Sequence, residues 1–200
     1  LGAYLSKAVR EAKVHSSWTA PDEAYEQAVQ AFATGVLGDR AFMAALEEYV
    51  SELEEPGRVN ALAMKLLQLT MPGIPDTYQG SELWDLSLVD PDNRRPVDFG
   101  ERARIVAAMD RVDATLPRLD DSGAAKLHLV RSALRLRRDR PELFGASAGY
   151  TPLDVSGSAA EHVVAFARGS ANSGDRVVTV VPRLVLGLRQ AGGWKDTLVE

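Results

Sequence analysis

Through the first seventy residues apolar side chains recur at spacings of three and four, the signature of helices with one buried face. Gly2 to Val14 is the first such segment. In "TAPDEAYEQAVQAF", Thr19 is placed to cap a second helix, with Asp22 three residues on and Tyr25, Ala28, Val29, Phe32 and Val36 on one stripe. Gly35 and Gly38 are expected to end it. Phe42, Leu46, Tyr49, Val50 and Leu53 outline a third helix, which Pro56-Gly57 is expected to break. "NALAMKLLQLT" (60–70) is apolar nearly all round and predicts a buried helix.

The pattern then changes. Ile74 to Tyr78 reads as a short strand in spite of Pro75. The longer stretch that contains it, "GIPDTYQGSELWDLSLVDPDNRRPVDF" from Gly73, has no further periodicity. Irregular loops beyond about 12–15 residues tend to be functional or disordered. Ile74, Tyr78, Leu83, Trp84, Leu86, Leu88 and Val89 give this one apolar anchors that a solvated tail lacks. Phe99, Arg102, Ile105, Val106, Met109 and Val112 predict another helix; Leu127, Val130 and Leu134 predict one more, stopped by Pro141. Beyond Phe144 Gly, Ser and Thr rise, and "HVVAFA" and "RVVTVV", separated by "RGSANSGD", predict a β-hairpin. The expected class is therefore α+β: a mainly helical part over residues 1–144 and a small antiparallel β-domain over 145–200.

Composition narrows the function classes. An apolar content of 46% with 26% charged residues is ordinary for a globular domain. A net charge of -5 argues against a general nucleic-acid binder, which needs a basic surplus to neutralise phosphates. No apolar run approaches the roughly 18 residues of a membrane span, and the N-terminus has no signal-like pattern. With no cysteine, disulfides, thiolate nucleophiles and Cys-based zinc sites are excluded, which fits a cytoplasmic protein. The chain starts at Leu1 rather than Met, so a longer parent is expected.

Several residues carry possible chemistry. Glu82, Asp85, Asp90, Asp92 and Asp98 are carboxylates of the kind that glycoside chemistry uses in pairs. Aspartates in such a loop more commonly cap turns, here with Arg94 and Arg95 as ion-pair partners. Trp18 and Trp84 either offer flat apolar area to a sugar face or simply fill space. His15 has no second ligand at metal spacing and reads as structural or as a substrate hydrogen-bonding group. His128 on a helix and His162 on a strand read as incidental. The run "RSALRLRRDR" from Arg131 to Arg140 reads as a solvated helix face. No Gly-rich phosphate loop and no nucleophile elbow is present, and neither metal nor cofactor is expected.

"PGIPDTYQGSELWDLSLVDPDNRRPVD", with "KAVREAKVHSSWTAPDEAYE" before it and "LRLRRDRPELF" after it, resembles the C-terminal portion of the maltooligosyltrehalose synthase family, within the α-amylase family. The resemblance runs from about Tyr4 to the end. The run Gly73 to Glu82 is similar to the eighth-strand signature of α-amylase-type barrels; "WDLSLVDPDNRRPVD" and "HSSWTAPDEAYE" are more specific to the trehalose-forming branch. It implies helices and the last strand, Ile74 to Tyr78, of a (β/α)8 barrel, then a β-domain. It implies substrate binding by Tyr78, Gln79, Glu82, Trp84, His15, Trp18, Arg94 and Arg95, at the strand C-terminal ends where such barrels place their sites.

The implied reaction is an intramolecular transglucosylation. The α-1,4 link to the reducing-end glucose of a maltooligosaccharide is cleaved, and that glucose is rejoined through its anomeric carbon as an α,α-1,1 link. The implied pathway partner is maltooligosyltrehalose trehalohydrolase. The family's nucleophile and acid/base carboxylates belong to earlier strands and match nothing here, so no catalytic residue is expected in this chain, which alone should be inactive. The chain also stops short of where the family's β-domain finishes. A different class remains as the alternative: a non-catalytic glucan-binding or interaction domain derived from such an enzyme.

Overall fold

A computed structural model describes residues 1–88, 92–111, 116–169 and 174–200, and for Asp92 the backbone alone. The expectations placed on Val89, Asp90, Pro91, the Asp92 side chain and Val112 lie outside the described residues. The chain divides into two compact units, Leu1–Glu52 with Asp85–Asp98, and Leu53–Trp84 with Phe99–Glu200.

The first unit holds α1 (Gly2–Ala12), α2 (Glu23–Gly38) and the start of α3 (Arg40–Thr70). Asp22, not Thr19, caps α2: its carboxylate accepts from the backbone N–H of Tyr25 at 2.9 Å. Asp is as good a cap as Thr, and Asp22 sits one residue before the first helical turn. Gly35 lies inside α2, which ends at Gly38. Gln30 ties α2 to α1 through the carbonyl of Gly2 (2.8 Å) and the hydroxyl of Ser6 (3.1 Å).

Pro56 does not break α3, which runs 31 residues with the proline inside. An interior proline costs about 3 kcal/mol. Here the ring is buried, and the helix is reinforced on either side by Arg58, which pairs with Glu54 one turn back, and by Arg189, which reaches Glu55 at 2.6 Å. The 60–70 segment is not buried all round: Ala63, Leu69 and Thr70 are buried while Met64 is 70% exposed.

In the second unit Leu69 forms a core with Val130 and Ala133 of α5 (Ala124–Asp139), and Leu129 packs against it. α4 spans Phe99–Met109. Ile74 to Tyr78 is irregular rather than a strand, and belongs to neither sheet of the described residues. A strand is held by its neighbours' ladder bonds, and Pro75 contributes no N–H; the side chain of Ile74 is 98% exposed. Beyond this stretch the described residues of the loop are irregular as expected, apart from a 3-10 turn at Asp92–Arg94.

The predicted hairpin is present as β3 (Val163–Gly169) and β4 (Arg176–Pro182), paired antiparallel. The pattern did not predict β1 (Gly149–Pro152), which pairs with the other side of β3, the two-residue pair of β2 (Val155–Ser156) with β5 (Leu198–Val199), or the short α6 (Val185–Gln190). The order β1-β3-β4 makes β1 and β4 the edges. Leu153 N–H bonds the Ala165 carbonyl and Arg183 N–H bonds the His162 carbonyl. His162 sits in a 3-10 turn before β3 rather than on a strand, buried. The result is a mostly helical molecule with a small antiparallel β-region.

Candidate functional site

The loop after Tyr78 is shaped by one arginine. Gly80 adopts φ +94°, a conformation that side chains disfavour, and the chain turns back so that Ser81 N–H and hydroxyl both reach the Tyr78 carbonyl, at 3.2 and 2.6 Å. Glu82 then closes the turn, accepting from the backbone N–H of Gly80 at 2.9 Å. From α4, Arg102 clamps both: its Nε donates to Glu82 Oε2 at 2.8 Å and its Nη2 to the Gly80 carbonyl at 2.6 Å. Burial by itself would raise the Glu82 carboxyl, but the Arg102 hydrogen bond and charge, with the backbone N–H donors, outweigh it and hold the group below the usual carboxylate range. A carboxylate so held stays ionised at neutral pH and serves as an acceptor, not as a proton donor.

Trp84 is fixed two residues on. Its indole Nε1–H donates to the Asp120 carbonyl at 2.7 Å. Lys126 of α5, itself buried, donates to the Leu83 carbonyl at 2.9 Å and lies 5.9 Å from the centre of the indole. Gly123 makes this approach possible, because a Cβ there would stand 2.8 Å from the Trp84 nitrogen. The Asp120 carboxyl, held low by the hydroxyl and N–H of Ser122, stiffens the same turn. Tyr78, 72% exposed, and Gln79 point outward beside this framework.

The other expected residues lie in the first unit. Trp18 is 57% exposed, with the Arg10 guanidinium 5.0 Å from its ring centre. Arg10 in turn grips Glu26 with two bonds of 2.8 and 2.7 Å, and the buried Ser16 donates to the same carboxylate. The Arg10 and Ser16 bonds pull the Glu26 carboxyl down to about 2. The His15 ring leans on Tyr25, centroids 4.8 Å apart. Arg94 and Arg95 are exposed on the 3-10 turn and just after it.

Thus Tyr78, Gln79, Glu82 and Trp84 share one loop, while His15, Trp18, Arg94 and Arg95 belong to the other unit. Arg102, Lys126, Gly123 and Asp120 had not been singled out for this loop. The pairing of Glu82 with Arg102 spans 20 residues and two elements, beyond what spacing within one element reveals. Among the described residues no group of three possible metal ligands occurs, and no helix is long and apolar enough to cross a membrane.

Comparison with known proteins gives the chain its relatives. No family model matches it. The homology it shows is to maltooligosyltrehalose synthases. Proteins of two Mycobacterium tuberculosis strains, each described as a "Putative maltooligosyl trehalose synthase", are 43% identical over 199 residues, covering 100% of this chain and 23% of theirs. The solved maltooligosyltrehalose synthase of Arthrobacter ramosus is 46% identical with a TM-score of 0.86, over 100% of this chain and 25% of that one. A Sulfolobus tokodaii structure described as a hypothetical maltooligosyl trehalose synthase is 26% identical with a TM-score of 0.62, over 90% of this chain and 27% of its own. The chain thus spans about a quarter of the length of the relatives it matches.

Proposed function

We propose that this chain forms the substrate-site wall of a maltooligosyltrehalose synthase acting in the cytoplasm, its natural substrate a maltooligosaccharide and its product passed to a maltooligosyltrehalose trehalohydrolase. The observation that carries the reading is the clamped turn: Arg102 fixes Glu82 while Asp120 and Lys126 fix Trp84 and the backbone before it. Such a turn sets an ionised acceptor two residues from a flat apolar ring. Sugars are recognised by that pairing, hydroxyls donating to the carboxylate and the C–H face lying on the ring.

The transfer retains configuration and so takes two displacements: a carboxylate attacks the anomeric carbon and expels the reducing-end glucose, whose own anomeric hydroxyl then attacks the glycosyl-enzyme. The nucleophile and acid/base are assigned to sequence outside these 200 residues. The wall's contribution is to hold the expelled glucose and exclude water, since water at the glycosyl-enzyme gives hydrolysis.

Maltopentaose is the test substrate. The natural gene product containing these residues converts it mainly to a non-reducing sugar; the 200 residues alone yield neither that product nor glucose. Turnover by the 200 residues above a blank would overturn the placement of the catalytic groups. A natural product that binds maltopentaose without converting it would establish the glucan-binding alternative.

A further inference from the structure

A cavity of about 510 Å³ in the second unit is not used by this reading. Its lining includes Pro72, Ile74, Phe144 and two arginines, Arg137 of α5 and Arg168 of β3. Arg168 is only 1% exposed, among the most buried side chains of the molecule. Its hydrogen bonds go to backbone carbonyls, Nε to Gly149 at 3.0 Å and Nη1 to Thr70 at 3.4 Å. Arg137 likewise donates to the carbonyls of Leu69 (2.9 Å) and Gly73 (3.4 Å), its guanidinium 4.9 Å from the Phe144 ring centre.

Among the described residues, no carboxylate pairs with either. The contrast with nearby arginines is sharp: Arg131 pairs with Asp110, Arg138 with Asp139, and Arg140 with both Glu142 and Asp175. Here two cations line one cavity, the better buried of them without an anion. Burial, and secondarily the charge of Arg137, push the Arg168 guanidinium below its usual range. Carbonyl dipoles offset part of that cost, but a buried charge is ordinarily matched by an opposite one.

We propose that this cavity binds a phosphate-type oxyanion between Arg137 and Arg168. Planar guanidinium groups suit tetrahedral oxyanions because each offers paired N–H donors. The volume exceeds what a bare oxyanion needs and falls in the range of small-molecule sites. The apolar wall of Pro72 and Phe144 leaves room for a small organic group on the phosphate.

Calorimetric titration of the full chain with inorganic phosphate, with glucose 6-phosphate and with glucose separates the sources. Both phosphates bind one to one, and neutral glucose does not. Equal affinities mean that the oxyanion alone is read; a tighter monoester means that the apolar wall contributes. Arg137→Gln, on a half-buried side chain, weakens phosphate by about tenfold or more, and Arg168→Met abolishes it. If Arg168→Met fails to fold, Arg137→Gln decides. No binding of either phosphate at millimolar concentration, or an unchanged affinity in Arg137→Gln, overturns the proposal.

Discussion

Glu82 and Trp84 are two residues apart and do different work. Glu82 is a brace that accepts from both the Arg102 guanidinium and the Gly80 N–H, so Glu82→Gln replaces a charge-assisted hydrogen bond with a neutral one and lowers stability by about 2 kcal/mol. On the proposed function, the same change in the parent protein lowers turnover with the fold retained. If the chain works as proposed, Trp84→Ala removes a ring that shields the transfer, and the ratio of free glucose to trehalose linkage rises. Melting temperature measured beside the product ratio separates packing from shielding. A large fall in melting temperature with an unchanged ratio would leave Trp84 a packing residue and end its role in excluding water.

At the scale of elements, the approach of the α5 N-terminus to the Trp84 backbone depends on Gly123. Its φ of +71° is strained for any side chain, and a methyl would meet the Trp84 nitrogen at 2.8 Å. Gly123→Ala therefore destabilises by about 1–3 kcal/mol, read as an earlier urea midpoint with the slope unchanged. A midpoint equal to the parent's would show that the loop yields without cost.

Helices and the hairpin were legible because their periodicity is local: Phe166 and Thr179 face each other across β3 and β4, as the alternating runs imply. What was not legible was set by partners distant in sequence. Whether Ile74 to Tyr78 forms a strand depends on a ladder neighbour, whether Pro56 ends a helix depends on what surrounds its ring, and Arg102 reveals its role only against Glu82. In the candidate site the loop and its tryptophan and carboxylate could be read, but not the arginine, lysine and glycine that hold them.

For the molecule as a whole, charge pairing sets the response to acid. The carboxyls of Glu26, Glu82, Asp110, Asp139 and Asp196 all lie below their ordinary values, most through hydrogen bonds to arginine or serine. A depressed folded-state value means that the unfolded chain takes up protons first. The stabilisation is complete above the ordinary carboxylate range and is lost as pH falls through the folded values, for Glu26 from 4.5 toward about 2. Urea midpoints should be level from neutral pH down to about 5 and decline below it. In Glu26→Gln the most acidic part of the decline is shallower. A midpoint unchanged on reaching pH 3 would show that these pairs do not govern stability.

The sheet's two rims carry a further consequence. In an antiparallel ladder alternate N–H groups of an edge strand face inward and outward. Leu153 and Arg183 N–H point inward, so the preceding residues, Pro152 and Pro182, stand where an outward donor would be. Proline has none to offer. A stray strand from another molecule, seeking to extend the sheet during crowded synthesis or partial unfolding, meets a missing rung at either rim, and fibrous self-assembly from this sheet is discouraged at its first step.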